Sequence, residues 1–452
     1  MSSPPERLSL VRSAPPVTNL SVRPIPPVPQ EGLLEATIDT PVEGGKSDAW
    51  AVRVRGHVLA AAGPVQEVEA IVPGLVVASG QATLPSPEVA ARHPDLPWAA
   101  ECGFTLLVNT LILRQNFEFR LRATLADGSH AEMVLISGQR RPLETGYAPR
   151  LQPLLVNSYG RTGTTMLMRM LAAHPGVVVY ERPPYEARGG KYWLHVLKTL
   201  AAPTDARKRV GAPMEFHLEP LAAGGNPFYS AAFAAWPEVE AWSGSSYVTE
   251  LAAFCQRSID GWYLATAAAQ DQPIDALVYF AEKHFPDAYP RLLRELYPGA
   301  RELFLVRDFR DMIASMRAYN ARKGFGDFGR KSARSDATWL AELRRGVVAL
   351  RDAWRDRGEP GSLVRYEDLV RDPTSRLPPL LTSLGLDATP ETVSRLIAAA
   401  APDAPELRGH GTAGSPEASI GRWQHDLPAD LLAATEETFG DLLEEFGYAS
   451  RG

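Results

Sequence analysis

From residue 35 to residue 138 apolar and polar positions alternate along the chain. Trp50, Val52 and Val54 alternate with Arg53 and Arg55, and Phe117, Phe119 and Leu121 alternate with Glu118, Arg120 and Arg122. A period of two puts alternate side chains on opposite faces of a strand, so these runs predict half-buried β-strands. Asp127-Gly128 is a short hairpin signal, and the apolar strand Met133 to Ile136 follows it. Gly56, Gly63, Gly74 and Gly80 break the rest at short intervals, so residues 35–138 are expected to form an all-β sandwich domain. Before it, Pro4, Pro5, Pro15, Pro16, Pro24, Pro26, Pro27 and Pro29 make residues 1–34 read as a disordered Pro-rich tail. Residues 139–153 read as a linker.

After Pro153 the pattern changes. Leu154 to Asn157, Leu277 to Phe280 and Leu303 to Val306 are short apolar runs, and helical periodicity follows each, at Met166 to Ala173, Tyr289 to Leu296 and Asp311 to Tyr319. This alternation predicts an α/β domain over residues 154–452, a P-loop-like parallel sheet flanked by helices. Residues 188–272 are helical, aromatic-rich and irregular, as an elaboration shaping a substrate cleft would be.

Composition narrows the function classes. With 452 residues, 45% of them hydrophobic and 22% charged, the chain has material for two cores and is neither fibrous nor mostly disordered. The 47 basic and 53 acidic residues leave a net charge of -6, so no global positive field draws the molecule to nucleic acid. Cys102 and Cys255 are too few for a disulfide framework and lack zinc-ligand spacing, so both are expected to be buried. No apolar leader core and no run of 18 apolar residues is present, so a cytoplasmic protein without a transmembrane segment is expected.

The chemistry concentrates in two segments. From Leu154 to Leu171 an apolar strand leads through Gly160-Arg161-Thr162-Gly163-Thr164-Thr165 into a helix. The first N–H groups of a helix lack partners within it, and glycines let the backbone approach an anion closely. A nucleotide loop of the Walker type would place Lys after the second glycine; here Thr164 follows Gly163 and the cation, Arg161, precedes it. The segment therefore reads as a phosphate loop not built for a Mg-nucleotide; a plain glycine turn is the alternative. In the second segment, Glu302 to Met316, Arg307 ends a strand and Ser315 lies eight residues later on a helix. A guanidinium fork and a hydroxyl at that spacing suit one phosphate, with a salt bridge from Arg307 to Asp308 or Asp311 as the alternative.

These residues resemble the sulfotransferases that use 3′-phosphoadenosine-5′-phosphosulfate (PAPS). Gly160 to Thr165 matches the family's loop P-[KR]-[ST]-G-[ST]-T, and LFLVRDFRDMIAS matches hhhhRxPRDxxxS, h being apolar, with Phe309 in place of Pro. Val364 to Pro373 and Ser419-Ile-Gly-Arg-Trp423 agree in order, so the likeness covers about residues 151–448. It implies PAPS as donor, 3′,5′-bisphosphate adenosine (PAP) as product and no metal. Gly160, Arg161, Thr162, Gly163, Thr164, Thr165, Arg307, Ser315, Ser419 and Arg422 would then bind the nucleotide. Arg161 would stabilise charge on the leaving oxygen. Lys283, 24 residues before Arg307, would be the family's second cation, with a solvated surface lysine as the alternative.

Relatives take the acceptor proton with a His after that Lys or with a Glu after the first helix. Two residues after Lys283 stands Phe285, and the adjacent His284 would point to the other side of a strand. Glu181, expected to end a short strand, is the base this implies, with Glu186 next in line because a second paired Glu would fall at Arg182. The domain arrangement resembles that of bacterial members acting on glycans or cell-surface polymers, so a hydroxyl of a glycan or glycan-like metabolite is the expected acceptor. Two other classes stay open: a small-molecule kinase using ATP and Mg²⁺, and a non-catalytic nucleotide- or glycan-binding protein with the sandwich as its working module.

Overall fold

The computed structural model describes residues 14–27, 29–73, 75–201, 242–285, 289–324, 329–330, 335–359, 362–400 and 411–449. The chain divides into two compact units, residues 1–147 with 193–256 and residues 148–192 with 257–452.

Among its described residues the first unit holds nine strands: β1 (Val17–Pro24), β2 (Leu33–Thr40), β3 (Gly45–Ser47), β4 (Ala51–Ala60), β5 (Glu67–Val72), β6 (Leu75–Gly80), β7 (Gly103–Asn109), β8 (Asn116–Thr124) and β9 (His130–Arg140), with the short helix α1 (Pro87–Arg92). They form a six-stranded sheet in the order β3-β1-β9-β8-β5-β6 and a three-stranded sheet in the order β2-β4-β7, with antiparallel pairing throughout. The alternation is plain on β8, where Phe117, Phe119, Leu121 and Ala123 are buried between exposed Glu118 and Arg120. The β8–β9 turn falls at Asp127-Gly128, where Gly128 has φ +83° and Ser129 donates its N–H and its hydroxyl to Asp127 Oδ1 at 2.9 and 2.6 Å.

The Pro-rich start departs from expectation. Val17–Pro24, within the stretch read as a disordered tail, pairs with β9 on one side and β3 on the other. Its prolines bracket the strand rather than interrupt it: none lies between Val17 and Arg23, and Val17 and Leu20 are buried. A count of prolines over the whole stretch hides that short apolar run. Cys102 and Cys255 are both buried free thiols, as expected.

The second unit begins with β10 (Gln152–Ser158), α2 (Thr164–Ala172) and β11 (Val177–Val178). The helices α3 (Gly189–Leu200) and α4 (Tyr247–Ala269) follow, and the division between units falls within both. Then come β12 (Tyr279–His284), α5 (Tyr289–Leu296), β13 (Arg301–Val306), α6 (Phe309–Lys323), α7 (Asp336–Arg357), β14 (Leu363–Arg365), α8 (Tyr366–Arg371), α9 (Pro373–Ser383), α10 (Pro390–Ala399), α11 (Trp423–Asp426) and α12 (Ala429–Glu445). The five strands are parallel in the order β11-β12-β10-β13-β14. Both faces are covered: Leu154, Val156, Leu303 and Leu305 pack with residues of α2, α9 and α10, while Phe304 and Val306 pack with α6, α7 and α12. Buried on both sides, such strands read as continuous apolar runs.

The topology positions the site. After β10 the chain runs outward to β11 and β12 on one side, and from β13 it runs to β14 on the other. In open α/β sheets, the crevice beyond the carboxyl ends of strands at such a reversal receives ligands. The loop after β10 and the end of β13 meet there. Among the described residues no helix is long and apolar enough to cross a membrane.

Phe309 shows how this end is held. It opens α6, at a position where the resembling family has Pro, a residue that suits the first turn because its missing N–H is not needed there. Phe309 instead is buried, its ring 5.4 Å from that of Phe439, 5.9 Å from Phe446 and 6.4 Å from Tyr448. The side chain thus ties the first turn of α6 to α12. Replacing it by Ala leaves a cavity, and Phe309→Ala is expected to lose about 3–5 kcal/mol of stability in chemical denaturation against the wild-type chain. A loss below about 1 kcal/mol would show that the contact does not hold α6.

Candidate active site

The loop after β10 is shaped by two left-handed residues. Arg161 has φ +68°, a conformation that costs a non-glycine residue roughly 1–2 kcal/mol, and Gly163 has φ +91°. A Cβ on Gly163 would lie 2.2 Å from the Tyr366 ring, so only glycine fits. The Ser158 and Thr162 hydroxyls bond each other, with the Leu305 carbonyl 2.9 Å from the first and the Tyr159 carbonyl 2.9 Å from the second. The Thr162 hydroxyl is thus turned into the loop. Gly163 precedes α2 without a side-chain cap, and no acidic residue stands in its first turn. An N-terminus left this way, with Thr164 and Thr165 opening it, favours an anion.

Around the loop, arginines converge from separate elements. Arg307, at the end of β13, donates to the carbonyls of Arg161, at 3.2 Å, and Ser419, and its guanidinium lies 4.7 Å from the Tyr366 ring. Its Nε is buried without a hydrogen-bond partner among the described residues. Arg161 donates to Ser315 Oγ at 3.2 Å and stacks on Tyr319 at 4.7 Å. Ser315 and Arg422 both meet the Thr412 hydroxyl, at 3.1 and 2.8 Å. The structure therefore brings Arg161, Arg307, Ser315, Ser419 and Arg422 into one corner. Burial, with repulsion from Arg307 and Arg422, brings the Arg161 guanidinium down to about 10. A cluster that repels itself is built for a polyanion.

Lys283 approaches the other side of the loop. Its Nζ donates to Thr165 Oγ1 at 3.1 Å and the Pro184 carbonyl at 2.6 Å, and lies 3.8 Å from Glu186. Only 6% of its side chain is exposed, against 55% for Glu186. Burial pulls its ammonium down to about 8, against the pull of Glu186 and with the push of Arg188.

The carboxylates are placed differently from expectation. β11 ends at Val178, so Glu181 lies three residues beyond the strand it was expected to close. Its N–H donates to Gln270 at 2.9 Å, and it lines a recess of about 210 Å³ with Arg169, Ala172, Ala173, Tyr185 and Ala399. Burial raises its carboxyl above the ordinary value. His284 points away from Lys283, its Nε2 2.9 Å from Glu282 on the opposite face of β12.

A model of the sulfotransferase family matches residues 153–390, more than half of the chain. The chain belongs to the sulfotransferase family. No curated protein matches this sulfotransferase. Among solved structures, the sulfotransferase domain from the curacin biosynthetic pathway is 15% identical, covering 68% of this chain and 100% of its own, with a TM-score of 0.36. A sulfotransferase of Mycobacterium avium is 15% identical, over 68% and 79% of the two chains, at 0.31. A mouse sulfotransferase complexed with PAP is 11% identical, over 67% and 87%, at 0.32.

Three further residues of this sulfotransferase's corner are tied in by contacts that the sequence alone does not show. Tyr366 lies in the matched stretch Val364 to Pro373, and Asp311 within the matched phosphate segment, but their contacts depend on other segments. Thr412 carries no sequence signal. The Lys283 value has a measurable consequence. The unfolded lysine stays charged to about 10.4, and the folded one loses its proton near 8. Between these values the unfolded chain binds more protons, so this group makes the fold more stable as pH rises across that window. Lysine NMR after ¹³C-methylation should show one resonance titrating near pH 8 that Lys283→Met removes. Titration of every lysine above pH 10 would contradict it.

Proposed function

We propose that this sulfotransferase uses PAPS as donor and transfers its sulfuryl group to a hydroxyl, without a metal. The observation that supports this most is the corner where Arg161, Arg307 and Arg422 crowd together beside the uncapped start of α2. The buried, unpartnered Arg307 Nε adds a donor to it. The donor supplies a sulfuryl group already activated by its anhydride link to phosphate.

In this reading Arg307, Ser315 and Arg422 hold the 3′-phosphate, and the Ser419 carbonyl steadies Arg307. The loop from Gly160 to Thr165 and the first N–H groups of α2 hold the 5′ end. Arg161 and Lys283 act from two sides of that loop, opposing the charge left on the departing phosphate oxygen. The acceptor oxygen bonds to sulfur as the sulfur–oxygen bond to that phosphate breaks, and the acceptor proton goes to a carboxylate.

Glu186 is the better base, with Glu181 second. Glu186 is exposed and 3.8 Å from Lys283, whereas Glu181 lines a recess with Arg169 and Tyr185. A base must reach the proton it takes, and proximity to the second cation favours Glu186. For the acceptor we propose a hydroxyl on a glycan or glycan-like metabolite. Tyr180, stacked on Trp262, and Phe285, under Arg188 just after β12, are 36% and 46% exposed, and such aromatic surface suits a sugar.

Calorimetry tests the donor. PAP is expected to bind far more tightly than 5′-AMP, with or without chelator; equal affinities would remove the reading. Arg307→Ala and Ser315→Ala each remove bonds worth about 1.5–3 kcal/mol, so PAP affinity should fall roughly 10- to 150-fold while AMP affinity barely changes. With an acceptor from a sulfate-transfer screen, Glu186→Gln should transfer roughly 10²- to 10⁴-fold more slowly at a PAP affinity within a few-fold of wild type. If Glu181→Gln is the slow variant instead, the base is Glu181.

A further inference from the structure

The turn from Ser419 to Trp423 leans on the arginine corner, and one carboxylate of α6 holds it. Asp311 Oδ2 accepts from the Gly421 N–H at 2.7 Å, and Oδ1 accepts from the Trp423 N–H at 3.0 Å. Between these anchors and Arg307 lies Ser419, whose carbonyl accepts from Arg307 and whose hydroxyl meets Tyr366 at 3.0 Å. Arg422, between the two bonded amides, reaches back to the Thr412 carbonyl and hydroxyl at 3.0 and 2.8 Å. The neighbouring Arg310 stacks on the Trp423 ring at 4.1 Å.

Asp311 is not spent on its own helix. Asp308 is the N-cap of α6, accepting from the Arg310 N–H at 2.9 Å. A carboxylate only 1% exposed is tolerated where charge-assisted bonds meet it, and here both oxygens are met by the backbone of a segment 110 residues away. Gly421 makes that possible, since its φ of +74° turns the chain so that two nearby amides face one carboxylate.

We propose that Asp311 is a positioning residue that clamps the Ser419–Trp423 turn over the arginine corner, so that bound nucleotide leaves only when both N–H bonds break. The nucleotide part rests on the PAPS reading; the clamp itself does not. Asn at this position keeps one acceptor oxygen and turns an N–H₂ toward the other amide. At pH 7.5, above the value of about 6 to which burial raises Asp311, Asp311→Asn should release PAP roughly 10- to 100-fold faster by stopped flow. The KM for PAPS should rise while single-turnover transfer at saturating PAPS stays within about threefold.

Gly421→Ala supplies a second test that leaves the core alone. Among the described residues, no atom beyond the glycine and its chain neighbours lies within 4 Å of the new Cβ, yet the left-handed conformation disfavours Ala. PAP release should quicken roughly 5- to 20-fold. In both variants without ligand, amide exchange should speed up in the peptide spanning residues 415–425. Unchanged PAP release in a folded Asp311→Asn chain overturns the proposal. So does loss of transfer at saturating PAPS with release unchanged, which would place Asp311 in the chemistry. If Asp311→Asn does not fold, Gly421→Ala decides by the same two outcomes. If the wild-type chain binds no PAP, the donor reading fails, and the ligand-free exchange of the two chains still decides the clamp.

Discussion

Positive charge gathered out of water governs the site end of the α/β unit. Arg161 is half-buried beside Arg307 and Arg422, and burial with that repulsion lowers its pKa to about 10. What braces these side chains is mostly uncharged: the rings of Tyr319 and Tyr366, the carbonyls of Arg161, Ser419 and Thr412, and the hydroxyls of Ser315 and Thr412. Arg422 pairs with Asp426 at 2.5 Å, and Arg307 acts on the buried Asp311 carboxylate. Ring faces and carbonyls orient a guanidinium without cancelling its charge, so the corner keeps its attraction for a polyanion.

That arrangement needs Tyr366 in two capacities. Its ring underlies Arg307 and also closes over Gly163, leaving no room for a side chain there. The ring at the start of α8 therefore fixes the distance between the loop after β10 and the end of β13. Its hydroxyl meets Ser419 at 3.0 Å, so the C-terminal turn is referred to the same point. Three segments far apart in sequence thus share one aromatic side chain as their gauge.

What was legible in the sequence follows from how local each signal is. The loop from Gly160 to Thr165, the strand end at Arg307 and the period of two on β8 are short-range patterns, and the parallel run of the strands, though not their order, followed from apolar runs alternating with helices. The cations could be placed at strand ends for the same reason. Less legible were features decided by distant partners. β1 was masked by the prolines around it, although β9 supplies its pairing. Glu181 and Glu186 lie five residues apart in one loop, and only the packing of that loop decides which of them faces Lys283. Thr412 and the bonds of Asp311 to Gly421 and Trp423 depend on a segment about 100 residues away.

The loop bearing Glu181 and Glu186 is itself fixed by the two faces of β12. On one face Lys283 donates to the Pro184 carbonyl. On the other, the fully buried Glu282 accepts from the N–H groups of Gly190 and Lys191 at the start of α3, and from Tyr263 and His284. Adjacent residues of a strand must point oppositely, so one short strand grips the loop at two points. Glu186 lies between the grips, held near Lys283 while still exposed to solvent. The same alternation commits His284 Nε2 to Glu282, on the face of β12 away from Lys283, so the carboxylate beside Lys283, that of Glu186, comes from the loop rather than from the strand.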